Sequence, residues 1–313
     1  MSKTGISWLE VHIKGFRIKC GMTNKIRMAN LKEIRNRITS IGSTMQITSA
    51  MKMVSAAKLK KAQDAITQMR PYANKLTELL QSLSATLEGD VGGVYSEQRE
   101  VSKVLLVVIT SNRGLCGGFN SSVIKAAIKN AGDNYKGKQV ELLTIGKKGN
   151  DLLSKDFSVV ENHNEIFDDL TFDNVAAIAE TIMTLFAEGK YDKVELVYNQ
   201  FKNAATQIET IEQFLPIEPI KGNVNVNTDY IFEPGKAEIV LELIPKSLKT
   251  QLYKAIRDSF ASEHGARMTA MHKATDNATE LRDDLLLTYN KARQAAITNE
   301  ILEIVGGAEA LNN

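Results

Sequence analysis

The run NLKEIRNRITSIGSTM, residues 30–45, decides the reading of the fold. Its apolar side chains Leu31, Ile34, Ile38, Ile41 and Met45 recur at alternating spacings of three and four. That period is the seam of a helix supercoiled with a partner, and a strand would alternate by two. Leu59, Ala62, Ile66, Met69, Ala73, Leu76, Leu80, Leu83 and Leu87 continue the phase. Asn30 with Glu33 three residues on forms an N-cap pair. At 1.5 Å per residue, Leu31 to Leu87 predicts a rod of about 85 Å. Pro71 removes one backbone donor and is expected to kink or break it. The seam is interrupted once. Thr48, Lys52 and Ser55 are polar at in-phase positions, while Met51 and Val54 shift to a neighbouring face. A helix that touches several surfaces has reason for that pattern.

The far end of the chain carries a second seam. Met271, Ala274, Ala278, Leu281, Leu285, Thr288, Ala292, Ala295, Asn299 and Leu302 keep the same spacing. Small residues dominate it and permit close approach of another helix. No proline follows Pro245, and Gly306-Gly307 supplies a terminator. Two separate bundle helices are one arrangement. Pairing with each other is preferred, because neither amphipathic rod buries its seam alone.

Between the seams the pattern changes. Lys103 to Ser111 reads as a buried strand, its apolar run too continuous for a half-exposed one. Val140–Ile145 and Val194–Asn199 read as two more, with weaker signals at Ser158–Val160 and Ile208–Phe214. Helical stretches separate them at Ser122–Ala131, Gly149–Lys155 and Asn174–Glu188. Such alternation predicts a small, largely parallel sheet covered on both faces. Pro216, Pro219 and the Asn-rich Gly222–Asn227 mark its exit. The expected organisation is a coiled-coil helix over 28–90, an α/β domain over 101–220, and a second coiled-coil helix over 235–313.

Composition narrows the classes. The 313 residues include only 5 prolines, against an average near 5%, which favours long uninterrupted helices. Val104 to Ile109, the longest strongly apolar run, is far short of the ~20 residues that span a bilayer. No secretory signal is expected at the start. Cys20 and Cys116 are too few for a disulfide framework or an all-cysteine zinc site.

No catalytic constellation emerges. The loop Ser111 to Asn120 follows the first strand and precedes a helix, where a phosphate-cradling turn would sit. Its glycine spacing is wrong for a dinucleotide fingerprint, so a tight structural turn is the better account. Cys116 within it reads as a packed thiol. His12, His163, His264 and His272 are scattered and read as solvated helix residues rather than ligands. Asp168-Asp169 and Asp283-Asp284 are adjacent pairs that point apart on a helix. No cofactor and no metal are expected.

Charge is more informative. Between Met28 and Gln68, Lys32, Arg35, Arg37, Lys52, Lys58, Lys60 and Lys61 face only Glu33 and Asp64. Phe157 to Gly189 has no Lys or Arg but holds Glu161, Glu165, Asp168, Asp169, Asp173, Glu180 and Glu188. The basic helix lacks the aromatic or motif support of a nucleic-acid binder, so an acidic protein partner fits it better.

These residues carry a resemblance. Ala29 to Ile38 and Met45 to Val54 are similar to the N-terminal helix of the gamma subunit of F-type ATP synthase, bacterial type. Ser111 to Asn120 resembles the family's S-D-R-G-L-C-G-G-x-N loop, with Asn112 in place of the usual aspartate. The segments Ser262 to Met268, Ala274 to Ala278 and Tyr289 to Thr298 resemble its C-terminal helix most specifically. The resemblance runs from Met28 to the C-terminus.

It implies a long antiparallel coiled coil of the terminal helices with an inserted small Rossmann-like α/β domain. It also implies a non-catalytic rotor shaft that couples proton flow to ATP synthesis. Implied partners are an alternating hexamer of catalytic beta and non-catalytic alpha subunits, an epsilon subunit and the membrane c-ring, with one copy of the shaft per complex and no nucleic acid. Carried over by motif, Met51, Lys52, Arg267, Gln294 and Thr298 would meet the catalytic subunits. Ile301, Leu302, Ile304, Val305 and Leu311 would run in an apolar apical bearing. The implied location is the cell inner membrane, peripheral, on the cytoplasmic side. Plant plastid relatives carry an inserted cysteine pair that this chain lacks, so thiol control is not expected. Residues 1–27 have no counterpart in the family core, and Met28 is expected to be the true start or the extension to be disordered. A dinucleotide-dependent enzyme using the central α/β domain is the alternative.

Overall fold

The computed structural model describes residues 31–86, 93–217 and 236–311. The expectations for residues 1–27, Met28, Asn30, Leu87, Pro219 and the Gly222–Asn227 exit lie outside the described residues, as do those for Cys20 and His12. Two long helices, α1 (Leu31–Thr86) and α5 (Lys236–Leu311), bracket the elements between them. The chain divides into two compact units, one pairing the start of α1 up to Ser40 with α5 from Arg282 onward, the other spanning Ile41–Leu281.

Within the second unit a five-stranded sheet forms from β1 (Lys103–Ile109), β2 (Gln139–Ile145), β3 (Ser158–Asn162), β4 (Lys193–Phe201) and β5 (Gln207–Leu215). Its order is β3-β2-β1-β4-β5; β1 pairs parallel with β2 and β4, β2 parallel with β3, and β5 antiparallel with β4. Both weak strand signals are therefore real strands. The helices α2 (Phe119–Asp133), α3 (Lys147–Leu153) and α4 (Phe172–Ala187) fall within a few residues of the expected ones. Thr171 caps α4, its hydroxyl accepting from the Asn174 amide.

Every residue of β1 after Lys103 is buried, as its unbroken apolar run requires. The two-residue period of the strand then sorts its side chains into two layers. Val104, Leu106 and Val108 share one with Val123, Ile124 and Ala127 of α2. Leu105, Val107 and Ile109 share the other with Val175, Ile182 and Phe186 of α4. That second layer also takes Leu248, Leu252 and Ile256 from α5. Each such side chain stabilises the fold by roughly 1.5–3 kcal/mol through burial. The opening part of α5 is thus a covering helix of the sheet.

Elsewhere α1 and α5 pack on each other. In the Ile41–Leu281 unit the hydroxyls of Thr48 and Thr275 lie 2.8 Å apart, and Thr279 donates to the Met45 sulfur at 3.3 Å. In the other unit Arg35 donates to the Tyr289 hydroxyl at 2.7 Å, its guanidinium 5.7 Å from the ring centroid. Within the Ile41–Leu281 unit, descending numbers on α1 meet ascending numbers on α5, so the pair is antiparallel there. The polar interruption of the α1 seam still faces inward. Thr48 and Ser55 are buried, the Ser55 hydroxyl donating back to the Met51 carbonyl at 2.7 Å.

Three expectations are corrected. Pro71 does not break α1, which continues to Thr86. Ile66 and Leu76, buried on either side of it, offset the lost backbone bond. Gly306-Gly307 does not end α5, which runs on to Leu311, since an interior glycine costs a helix only about 1 kcal/mol. The covered stripe of α5 matches the expected one at Met271, Ala274, Ala278, Leu285 and Ala292 and shifts by one residue at the alternate positions. Arg282, Tyr289 and Ala296 are half-buried where Leu281, Thr288 and Ala295 are exposed. With small side chains on both stripes, apolarity alone did not set the phase.

Candidate functional site

In a sheet of this order, ligands occupy the crevice at the carboxyl ends of the two strands where the order reverses. Here those strands are β1 and β4. The loop after β1 is Thr110 to Gly118, and the turn after β4 contains Asn203 and Ala204. Both are engaged by one stretch of α5, from Gly265 to Ala270.

Arg267 makes the first engagement. Its side chain is only 8% exposed. Nη2 donates to the carbonyls of Arg113 at 3.0 Å and Gly114 at 3.3 Å, and Nε donates to Gly114 at 3.4 Å. Nη1 pairs with the Glu263 carboxylate at 2.7 Å and donates to Nδ1 of His264 at 3.3 Å. Two residues on, on the opposite face of the helix, Thr269 donates to the Ala204 carbonyl at 3.1 Å. A side chain at Gly265 would begin 3.1 Å from the Ala204 Cα, and one at Gly117 would begin 3.8 Å from the Ala270 Cβ. The helix backbone therefore lies directly on both loops. Further back, Arg257 donates to the Leu170 carbonyl at 2.7 Å, and Phe260 stacks on Phe167 with centroids 6.1 Å apart. From the α1 side, Leu59, Ala62 and Ile66 join Ala261 in a small apolar cluster.

This geometry sets the electrostatics. His264 is buried against Phe260, with ring centroids 4.5 Å apart. Burial, helped by the charges of Arg267 and Lys58, pushes its pKa down to about 3. It is a neutral ring whose Nδ1 accepts from Arg267, which corrects its reading as a solvated histidine. Burial raises the Glu263 carboxyl, while Arg267 in contact and Lys58 and Arg113 nearby oppose the rise. His272 is exposed as expected, 3.2 Å from Asp276.

The loop itself is a structural turn. Cys116 is buried, and burial raises its thiol above the usual range, so it is a packed side chain. Asn120 holds both ends of the turn, accepting from the Ser111 amide at 3.0 Å and donating to the Cys116 sulfur at 3.2 Å. Asn112 donates to the Asn164 carbonyl at 2.7 Å and accepts from the Lys147 amide at 3.0 Å. Only an amide does both, which gives the departure from aspartate a physical reason. Leu115 stands at the tip with φ 62°, 64% exposed. A leucine in the left-handed region is a strained residue held by its surroundings. With the loops gripped by α5, the crevice where a dinucleotide would lie is filled by the chain itself.

The remaining expected site residues are distributed as follows. Met51 and Lys52 are half-buried on α1 in the Ile41–Leu281 unit, beside the exposed Ile47, Met53 and Val54. Gln294 and Thr298 are exposed on α5 in the other unit, the Thr298 hydroxyl donating to the Gln294 carbonyl at 3.0 Å. Ile301, Leu302, Ile304 and Val305 are exposed, and the side chain of Leu311 lies outside the described residues. Arg267 alone is enclosed. Glu263, Lys58, Gly265 and Thr269 were not named as site residues, although Lys58 belongs to the basic stretch and Glu263 and Gly265 to the Ser262–Met268 motif. The available signal was Glu263 and Arg267 at i,i+4 on a stripe otherwise rich in alanine. Among the described residues no cluster of His, Cys, Asp or Glu could hold a metal, and no helix is long and apolar enough to cross a membrane.

Comparison with known proteins agrees in one direction. A family model described as ATP synthase matches residues 30–311. The ATP synthase gamma chain of Flavobacterium johnsoniae is 77% identical over 286 residues, covering 91% of this chain and 100% of the relative. A chain of the central stalk and c-ring structure of the Tetrahymena thermophila mitochondrial ATP synthase is 28% identical, with a TM-score of 0.55 over 73% of this chain and 99% of that one. A chain from the Euglena gracilis mitochondrial enzyme shares the fold at 23% identity, with a TM-score of 0.67 over 90% of this chain and 94% of that one.

Proposed function

We propose a working scheme for a chain that belongs to the gamma-chain family of ATP synthase. It is the central rotor shaft, which transmits torque between the membrane ring and the catalytic hexamer and so couples proton flow to ATP synthesis. It performs no catalysis of its own. Its partners are the alternating alpha and beta subunits, an epsilon subunit and the c-ring, and one copy serves each complex. The complex is membrane-associated. Our reading places this chain peripherally on the cytoplasmic side of the cell inner membrane.

The observation that carries the scheme is the change of surface along α5. Its first half is buried in the α/β unit, and its last turns present bare Ile301, Leu302, Ile304 and Val305. An apolar end left exposed among the described residues fits an apical bearing. Met51, Lys52, Gln294 and Thr298 are then the contacts with the catalytic subunits. Partly exposed ion pairs contribute only about 0–1 kcal/mol each, so such contacts break and re-form as the shaft turns. The dinucleotide alternative loses its site, since α5 occupies the crevice it needs.

Native mass spectrometry of the complex captured through this chain tests the scheme. The expected particle holds one copy with three alpha, three beta and one epsilon-like subunit. A homodimer, or the chain alone with a nucleotide, would overturn it.

A further inference from the structure

We infer that Arg267 is a positioning residue inside the shaft, a clamp that passes load between the α/β unit and α5, and makes no contact with the catalytic subunits. The inference rests on the rotor reading. Its basis is the saturation of the guanidinium. Arginine has five N–H donors in a rigid fork. Here Nε and Nη2 are directed at two consecutive loop carbonyls, and Nη1 is divided between Glu263 and His264. No donor is left for a carboxylate of another subunit, and the side chain is enclosed.

The acceptors lie 153 and 154 residues away in sequence, so the clamp joins elements that the chain does not otherwise hold together locally. The loop it grips contains the left-handed Leu115, a conformation that persists only under outside constraint. Two residues to either side, on the opposite face, Thr269 and Gly265 seat α5 on the Ala204 turn. Beyond the apolar seat at Leu248, Leu252 and Ile256, torque that reaches the sheet therefore enters α5 at two further points, and Arg267 is the one on the β1 side. Lysine has no fork to span two carbonyls and a carboxylate together.

The test uses the whole ATP synthase reconstituted in vesicles, reading protons pumped per ATP hydrolysed. The wild-type complex is measured first; no coupled pumping there, or assembly without this chain, is failure of the rotor reading and precedes any comparison of variants. With wild-type coupling established, Arg267→Ala is expected to lower the ratio by about twofold or more, the usual reach of a residue in a coupling network. Arg267→Lys should fall between the two.

A second clamp then replaces the first. Gly117→Cys with Ala270→Cys places sulfurs on β-carbons 3.8 Å apart, within disulfide range, at the cost of a side chain on the left-handed Gly117 backbone (φ 59°). Oxidation in the Arg267→Ala background should restore the ratio and reduction should remove it again, with peptide mass identifying the 117–270 bond. A ratio unchanged in Arg267→Ala overturns the inference. So does a closed bond that restores nothing, because the lost contact then lies with a partner, and so does failure of the pair to close beside an intact Arg267. Should Arg267→Ala not assemble, Arg267→Lys carries the same two arms.

Discussion

The two ends of α5 obey opposite rules. Between Ile244 and Met271 the helix is folded into its own chain, with Leu248, Leu252, Ala255, Ile256 and Ala261 buried on the sheet and on α1. Beyond Ile297 the same helix exposes Ile301, Leu302, Ile304 and Val305. Both stretches are apolar in sequence, so hydropathy does not distinguish them. What differs is whether a matching surface exists within the chain. The first stretch is a fixed structural member and the second is a surface for something else.

Leucine truncation gives the largest contrast. Leu252→Ala should destabilise the full chain by about 2–5 kcal/mol in urea denaturation, the range for a buried leucine. Leu302→Ala should stay within about 0.5 kcal/mol, as exposed sites do. Equal losses would break the distinction.

Glycines sharpen it. Gly265→Val drives a β-carbon to 3.2 Å from the Ala204 carbonyl oxygen, and overpacking of that kind should cost about 1–3 kcal/mol. Gly306 has nothing within 4 Å, so Gly306→Ala should raise stability by up to about 1 kcal/mol through helix propensity. Adding a side chain thus has opposite signs at two positions of one helix. Matching signs in thermal unfolding would show that both glycines sit in equal surroundings.

The smallest effect is a pH dependence confined to the buried stretch. His264 titrates near 6.5 when unfolded and at about 3 when folded, because burial, Arg267 and Lys58 disfavour its charge. Between those values the unfolded chain binds the extra proton, so stability is complete above the unfolded pKa and falls as pH drops. From pH 7.5 to 5.5 the loss from this group is about 1 kcal/mol. His264→Gln should flatten that part of the urea-midpoint profile.

How much of this was legible depends on what each residue contacts. The α1 seam was readable because Ile34, Leu59 and Ile66 are large and periodic. Lys103 to Ile109 was readable because a strand covered on both faces has no polar position to spare. The α5 stripe was right at Met271, Ala278, Leu285 and Ala292 but one residue off at the positions between, because alanines and threonines flank it on both sides. Arg267 was carried over by motif as a partner contact, and its enclosure was not legible because its acceptors are main-chain carbonyls, which carry no residue signature. His264 was missed for a related reason: Phe260 on the preceding turn and Lys58 on another helix create its environment, and neither looks unusual alone. The roles proposed for Gln294, Thr298, Ile301 and Leu302 rest on resemblance alone, since an isolated sequence does not tell a bare surface from an occupied one.

The filled crevice has a consequence for occupancy. A diffusing ligand holds such a cleft in proportion to its concentration and leaves it half empty at its Kd. Here the occupant is residues 265–270 of the same chain, fixed at one side by Leu248 and Leu252 in the sheet's apolar layer. Its local concentration is set by the tether and does not fall on dilution. The cleft therefore has no apo form under native conditions, and emptying it requires undocking a helix.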